Sequence, residues 1–181
     1  MILLMGIAGS GKGTQGKMLA DQYGLHLISM GDVVRMYVTG KQRQRMLDGG
    51  LLDDSEIIAI VDRVLSSIPD KETVLIDGFP RTIPQAEWLL KQVEAGRFQV
   101  DMAIHLQASR EAVKQRLLSR ARIDDTDTAI EARFDEYERS TRPLLKWLEE
   151  QKVRVINIDA ERSAEEINKE LVRYLQEVGK P

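Results

Sequence analysis

The chain opens with a stretch whose residue types and spacing suit phosphate binding. An apolar run, Ile2–Met5, leads directly into the sequence GIAGSGKGT over residues 6–14. Glycines allow such a turn to wrap around an anion with several backbone N–H groups pointing inward. The helix predicted to follow, Lys12–Tyr23, adds the positive end of its dipole. Lys12 is then placed to reach the outer phosphates of a nucleotide.

This loop differs from the general Walker A pattern in one position. That pattern has Ser or Thr directly after the lysine, where the hydroxyl binds Mg²⁺. Here Gly13 follows Lys12, and Thr14 comes one residue later. We therefore do not expect a loop hydroxyl to bind Mg²⁺ directly. The ion commonly keeps several waters and is held by substrate phosphates, which suits this loop. A glycine-rich turn without a ligand explains neither the lysine nor the following helix.

A second group of chemically active residues, DGFPRT over residues 77–82, follows another apolar run. An acid such as Asp77 at the end of a strand beside a phosphate loop can hold the waters of Mg²⁺. Arg81 supplies a planar fork that matches phosphate oxygens. Thr82 is predicted to cap the next helix, with Gln85 at the third helical position.

Several arginines are spaced so that they could surround an anion. Arg116 and Arg120 are four residues apart and share one helix face, Arg122 lies just beyond, and Arg133 is on the next predicted helix. Like charges at this spacing repel one another unless an anion lies between them. The acidic pair at 124–125 could orient the guanidinium groups. Alone, this cluster would indicate a solvated face, whereas beside a phosphate loop it indicates a clamp on a transferring phosphoryl group.

The composition places limits on the class of protein. The chain has 181 residues, of which 43% are hydrophobic and 30% charged, and this favours one globular domain. Its net charge of −3 gives no overall attraction to nucleic acid or membrane, so we expect neither as a partner. It has no cysteine, which excludes disulfides and thiolate metal sites. No signal peptide or membrane span is recognisable, and we expect a cytoplasmic protein.

Short apolar runs alternate with longer helical patterns along the chain. Runs of four or five apolar residues without alternation are typical of parallel strands that are covered on both faces. The predicted strands are Ile2–Met5, His26–Ile28, Thr73–Ile76, Met102–Leu106 and Arg154–Ile158. The predicted helices are Lys12–Tyr23, Asp32–Val38, Ser55–Ser67, Ile83–Ala95, Arg110–Arg120, Thr126–Arg139, Arg142–Glu150 and Ala164–Val178. This rhythm predicts a doubly wound α/β sheet with its ligand site at the carboxyl ends of the strands.

Taken together, these motifs resemble those of the adenylate kinases over most of the chain. The loop at 6–14, including the displaced threonine, is similar to the phosphate loop of that family. Gly31-Asp32 with Arg35 resembles the start of its AMP-binding segment, and DGFPRT at 77–82 followed by Gln85 resembles a highly specific signature. The arginines and the acidic pair near residue 124 resemble the hinge of the family's lid.

The resemblance implies a fold and a set of roles. The expected fold is α/β, a P-loop nucleoside-monophosphate-kinase-like three-layer α/β/α arrangement with a five-stranded parallel sheet. Residues 1–181 would form a single kinase domain, with 31–59 a short nucleoside-monophosphate-binding insertion and 121–125 a vestigial lid. The catalytic residues implied are Lys12, Arg81, Arg120, Arg122 and Arg133. Mg²⁺ is implied as a cofactor bound with ATP, with Asp77 acting on it through water.

The same resemblance implies two nucleotide sites. The residues implied for ATP are Gly9, Ser10, Gly11, Lys12, Gly13, Thr14, Arg116, Arg120 and Arg162. The residues implied for AMP are Met30, Arg35, Leu52, Gly78, Arg81, Gln85, Arg122 and Arg133. Arg116 resembles the arginine that stacks on the ATP adenine, and Arg162 is similar in place to a residue whose backbone touches that ring.

Three positions depart from the family pattern. Met30 stands where adenylate kinases usually have Thr and pyrimidine-specific relatives have Ala, although Gln85 favours AMP over the Asn that is typical of UMP/CMP kinases. Only Ala121 lies between Arg120 and Arg122, so a lid is nearly absent and we expect faster nucleotide exchange with poorer exclusion of water. Gly40-Lys41 replaces several residues of the AMP-binding segment, and self-association could cover the cleft.

The sequence therefore predicts a phosphotransferase that converts ATP and AMP into two ADP by direct in-line phosphoryl transfer. Its expected partners are the small molecules ATP and AMP, and the protein could be a monomer or a homo-oligomer. Two alternatives stay open at this point. One is a UMP/CMP kinase, because of Met30, and the other is a nucleotide-binding protein with little turnover.

Overall fold

A five-stranded, fully parallel sheet forms the centre of the protein. The computed structural model describes residues 1–41, 44, 52–69, 72–120 and 125–179. The strands are β1 (Ile2–Met5), β2 (His26–Ser29), β3 (Val74–Asp77), β4 (Met102–Gln107) and β5 (Val155–Asp159). They lie in the order β2-β3-β1-β4-β5, so the first strand of the chain is central. The predicted five-stranded parallel sheet is confirmed.

Helices cover both faces of this sheet. They are α1 (Lys12–Tyr23), α2 (Met30–Tyr37), α3 (Asp54–Leu65), α4 (Ile83–Glu94), α5 (Arg110–Arg120), α6 (Asp127–Glu136), α7 (Arg142–Glu150) and α8 (Ala164–Glu177). Leu3 and Ile76 point to the face that α2, α3, α4 and α7 cover. Leu4 and Leu75 point to the opposite face, which α1 and α8 cover. Because successive strand residues face opposite sides, strands that are buried on both faces need unbroken apolar runs. The predicted three layers are confirmed.

The strand register brings the phosphate loop and the segment after β3 to one edge of the sheet. Leu4 pairs with Asp77 across β1 and β3, and Met5 pairs with His105 across β1 and β4. The carboxyl ends of these three strands therefore lie side by side. The loop after β1 and the segment after β3 emerge at this edge, where α/β sheets bind their ligands.

The predicted helices and strands differ from those observed mainly at their ends. The helix predicted from Asp32 begins at Met30, because Ser29 ends β2 and serves as the N-cap of α2. The largest difference lies between α6 and α7, where a π-helical turn, Tyr137–Thr141, joins them without a loop. Pro143 near the start of α7 has no N–H to donate, which is compatible with a change of hydrogen-bonding pattern at this junction.

No helix in the described part of the chain is both long and apolar enough to cross a membrane. The proposed subdivision into a short insertion at 31–59 and a vestigial lid at 121–125 stays a prediction. Residues 121–124 and much of 42–51 lie outside the described residues.

Two adjacent leucines of α5 provide a test of the packing beside the phosphate loop. Leu117 is 1% exposed and packs with Ile7, Val113 and Phe134, whereas Leu118 is 48% exposed. We expect Leu117→Ala to lower the free energy of unfolding by about 2–5 kcal/mol, because it removes buried methyl groups and leaves a cavity. Leu118→Ala should cost less than about 0.5 kcal/mol. Urea denaturation followed by circular dichroism measures both, and equal losses would contradict the packing described.

Candidate active site

One large cleft, with a volume of about 1070 Å³, lies at the carboxyl edge of the sheet. Most of the residues predicted to bind nucleotide line it, as does Asp77, which was predicted to act on Mg²⁺. They are Gly9, Ser10, Gly11, Lys12, Gly13, Thr14, Arg35, Asp77, Gly78, Arg81, Arg116, Arg120, Arg133 and Arg162. These residues come from segments far apart in sequence, so the fold brings the loop, the acid and the arginines to one place.

The loop between β1 and α1 needs glycine at two positions for steric reasons. Gly6 has a φ of 133°, and a Cβ built there would lie 2.6 Å from the carbonyl oxygen of Leu106. Gly9 has a φ of 89°, and a Cβ there would lie 2.9 Å from Cγ of Leu117. Larger residues would be strained in both conformations and would clash with their neighbours. The backbone can therefore curl tightly ahead of α1, as an anion cradle requires.

Lys12 is folded back onto this loop. Its Nζ donates hydrogen bonds to the carbonyl oxygens of Gly6 at 2.8 Å and Ile7 at 2.9 Å, and it lies 3.8 Å from Oδ1 of Asp77. Burial lowers the pKa of the Lys12 ammonium, the charge of Asp77 opposes this shift, and the charge of Arg81 adds to it. Asp77 compensates only part of the positive charge of Lys12, and a polyanion that entered the cleft would compensate the rest.

Arg81 reaches the cleft from the turn after β3. Its Nε donates to the carbonyl oxygen of Gly78 at 2.9 Å, which fixes the plane of the guanidinium group. Burial lowers the pKa of Arg81, while the nearby Asp77 raises it. The Asp77 side chain is only 15% exposed, and its charge acts on the cationic groups of both Lys12 and Arg81. It is the carboxylate of β3 that lines the cleft.

Asp125 holds two of the arginines. It accepts two hydrogen bonds from Arg120, from Nε at 2.9 Å and from Nη2 at 2.8 Å, and a third from Nη1 of Arg133 at 2.8 Å. Burial of Asp125 by itself would raise the pKa of its carboxyl group. The hydrogen bonds from the two guanidinium groups outweigh this effect and hold the pKa below its ordinary value. The carboxylate thus fixes two cations that would otherwise repel each other.

Arg116 and Arg162 also line the cleft. Nη2 of Arg116 donates to the carbonyl oxygen of Ala160, directly after β5, at 2.8 Å. Arg162 forms an ion pair with Glu170 of α8. Their predicted contacts with the ATP base stay predictions.

The predicted AMP residues are divided between the cleft and its supporting wall. Arg35 lines the cleft, and its Nη2 lies 2.5 Å from Oδ1 of Asp32, one helical turn earlier. Met30, Leu52 and Gln85 are buried and are not among the described residues that line the cleft. Arg122 lies outside the described residues. The roles of all four stay predictions.

Thr82 and Gln85 differ in part from the predicted cap. The Thr82 hydroxyl accepts from the backbone N–H of Gln85, so Thr82 caps α4 as predicted. The Gln85 side chain does not return to Thr82. Its Oε1 accepts from the backbone N–H of Arg81 at 2.9 Å, and its Nε2 donates to Oδ1 of Asp54 at 2.7 Å. Asp54 belongs to no motif, so no pattern in the sequence indicates this contact.

Three hydrogen-bonded polar side chains behind the cleft were also not predicted from the sequence. Nδ1 of His105 lies 2.8 Å from Oδ1 of Asn157, and Nε2 lies 2.6 Å from the hydroxyl of Tyr137, which lines the cleft. With an amide oxygen as its partner, Nδ1 carries the proton and Nε2 accepts from Tyr137. Burial lowers the pKa of His105, so the ring is neutral near pH 7. These hydrogen bonds support the π-helical turn that contains Tyr137.

Comparison with known proteins agrees with this geometry. The adenylate kinase family model matches residues 4–153. The adenylate kinase of Corynebacterium urealyticum is 37% identical over 92% of this chain and 94% of its own length. That of Corynebacterium aurimucosum is 35% identical over 98% of both chains, and that of Nitrobacter winogradskyi is 30% identical over 99% of this chain and 95% of its own. Because the match extends over the phosphate loop, the turn after β3 and the arginine cluster, this chain belongs to the adenylate kinase family.

Proposed function

We propose that the protein transfers the terminal phosphoryl group of ATP directly to AMP and so forms two molecules of ADP. One observation carries this proposal: Lys12, Arg81, Arg120 and Arg133 converge on one cleft beside a glycine-rich loop. A site that only binds a nucleotide needs the loop. It has little need for guanidinium groups from three further elements around the position of a transferring group.

The chemistry requires positioning and charge neutralisation more than a reactive side chain. Negative charge is spread over the oxygens of the transferring phosphoryl group, and no covalent intermediate with the protein is needed. Fixed cations in a cleft stabilise that charge without having to reorganise during the reaction. Asp125 fixes Arg120 and Arg133 before any substrate binds, and the Gly78 carbonyl does the same for Arg81.

The donor and acceptor would enter from opposite ends of the cleft. Residues 9–14 of the phosphate loop, with Arg116 and Arg162 beyond them, form the proposed ATP end. Arg35 and Gly78 belong to the proposed AMP end, above the buried wall that contains Gln85. Arg81 would lie between the two ends, where the group in transfer would pass.

Mg²⁺ bound with ATP fits the groups at this edge. Asp77 offers one carboxylate inside the cleft, which is the kind of limited protein contribution that Mg²⁺ accepts when phosphates and waters complete its shell. Asp77 would hold the ion through its waters. The ion neutralises phosphate charge when it is bound.

The choice of acceptor base tests the proposal against its rivals. With ATP and Mg²⁺, a coupled assay for nucleoside diphosphate formation should show much faster transfer to AMP than to UMP, CMP or GMP. A preference for UMP and CMP would instead identify a pyrimidine-specific kinase, the alternative suggested by Met30. Binding of ATP without transfer to any of the four acceptors would identify a binding protein.

Replacement of Arg81 separates binding from transfer. We expect Arg81→Ala to lower kcat by about 10²–10³-fold, because it removes a fixed cation from the path of the phosphoryl group. The affinity for ATP, measured by calorimetry, should stay nearly unchanged because the phosphate loop is intact. Arg97→Ala is the matched control, since Arg97 pairs with Asp62 outside the cleft. Equal losses of ATP affinity and of kcat would show that the role of Arg81 is misassigned.

The lowered pKa of Asp125 leads us to expect a specific dependence of the free energy of unfolding on pH. Its pKa is lowered on folding, so its stabilising effect is complete above the ordinary carboxyl pKa near 4 and is lost as the pH falls towards the lowered value. Asp125→Asn should cost about 1–3 kcal/mol at pH 7 and should flatten the fall in stability below about pH 4. Chemical denaturation between pH 7 and pH 3 measures this effect.

Asp127→Asn is the control for that experiment. Asp127 pairs with Lys114 and is 72% exposed, so its replacement should leave the acid limb of the stability curve unchanged. If the free energy of unfolding fell below pH 4 in the same way for both variants and for the unmodified protein, the hydrogen bonds at Asp125 would not stabilise the fold.

A further inference from the structure

The side-chain amide of Gln85 is held at both of its ends. Its Oε1 accepts from the backbone N–H of Arg81 at 2.9 Å, and its Nε2 donates to Oδ1 of Asp54 at 2.7 Å. The Thr82 hydroxyl also donates to that carboxylate oxygen at 2.7 Å. Gln85 is only 2% exposed, so water offers little competition for these contacts.

These two contacts permit only one orientation of the amide. A backbone N–H can only donate, and an ionised carboxylate can only accept. Rotation of the amide by half a turn would place Nε2 against the N–H of Arg81 and Oε1 against the carboxylate of Asp54. Both hydrogen bonds would be lost, and both would be replaced by repulsive contacts. The hydrogen bond from Thr82 in turn fixes the position of the carboxylate.

A locked amide presents a fixed hydrogen-bonding pattern. Nε2 of Gln85 has a second hydrogen, and Oε1 has a second lone pair. Together they match a base edge in which a ring nitrogen accepts and the neighbouring exocyclic amine donates, as in adenine. A 6-oxo purine has the reverse pattern, with a ring N–H beside a carbonyl oxygen. It would bring donor against donor and acceptor against acceptor.

We propose that Asp54 is a specificity-determining positioning residue, which locks Gln85 in the orientation that favours a 6-amino purine over a 6-oxo purine. This inference rests on the proposed function and on the role beside the AMP base that the family resemblance implies for Gln85, which would require the buried wall of the cleft to open towards that base. Asp54 acts through Gln85 and not on the base itself.

A merely structural role for Asp54 would have a different consequence. Asp54 is the first residue of α3, and a negative charge there also stabilises the helix. Through Thr82 it supports the start of α4. Loss of these effects would reduce stability or turnover with every acceptor alike. Only loss of the lock on Gln85 would change the preference between two bases of the same shape.

The experiment compares AMP with inosine monophosphate as acceptors. The two differ only in the exocyclic group at position 6 and in the hydrogen on the adjacent ring nitrogen, so shape is held constant. For the unmodified protein, we expect kcat/KM for AMP to exceed that for inosine monophosphate by about 10²-fold or more. Asp54→Asn should reduce this ratio by about tenfold, because an asparagine amide can turn and satisfy either orientation of Gln85, and only the backbone N–H of Arg81 then distinguishes the two orientations.

Two further variants make the comparison specific. Asp62→Asn removes the same charge from the same helix, but Asp62 contacts Arg97 at the surface, so the ratio should stay unchanged. Asp54→Ser shortens the side chain and withdraws the oxygen that accepts from Gln85, and it should lower the ratio as Asp54→Asn does. Circular dichroism confirms that each variant is folded before the ratio is measured.

The outcomes separate this inference from the function on which it rests. No transfer to AMP by the unmodified protein would overturn the proposed function. If the unmodified protein had equal kcat/KM for AMP and for inosine monophosphate, the proposed role of Asp54 would be wrong, whatever the variants showed. A high ratio that persists in the folded Asp54 variants would also overturn it, since Gln85 would then keep its orientation without the carboxylate.

Discussion

Four cationic side chains share one cleft, and the rest of the site depends on holding them there against their mutual repulsion. Lys12, Arg81, Arg120 and Arg133 line the same space, and like charges at such a distance repel. The fold offsets this repulsion with acceptors from its own chain. Carbonyl oxygens hold Lys12 and Arg81, while Asp125 holds the other two arginines. Each cation is thus oriented before a phosphate arrives, and the orientation is what catalysis requires.

Burial in the cleft, with a smaller contribution from the neighbouring cations, explains the direction of the pKa shifts of Lys12 and Arg81. Burial lowers the pKa of Lys12 and of Arg81, which means that the protein bears a cost for keeping both groups charged. Asp77 offsets only part of that cost. Under the proposed function, the phosphate groups of the nucleotides would offset the remainder, which would give the site a preference for polyanions. Because this preference comes from charge, it does not distinguish one base from another.

Local sequence patterns predicted most of the fold, because a doubly wound sheet follows from unbroken apolar runs alternating with helices. The strand ends also predicted which segments would share an edge, since parallel strands bring their carboxyl ends together. Features that depend on distant side chains were not predictable. Asp54 and Gln85 are 31 residues apart in the sequence, and an aspartate at position 54 gives no sign that Gln85 is its partner. The π-helical turn at Tyr137–Thr141 likewise involves packing against His105, which a local helical pattern does not reveal.

These two levels of prediction correspond to two kinds of recognition. Backbone N–H groups and arginines recognise phosphate, and both follow from a short motif and from the topology of the sheet. Selection of a base requires a neutral group with a defined donor and a defined acceptor, and an amide has that property only when its two ends are distinguished. The Arg81 N–H and the Asp54 carboxylate distinguish them at Gln85. Arg81 therefore takes part at two levels, because its backbone N–H orients the Gln85 amide while its side chain lines the cleft.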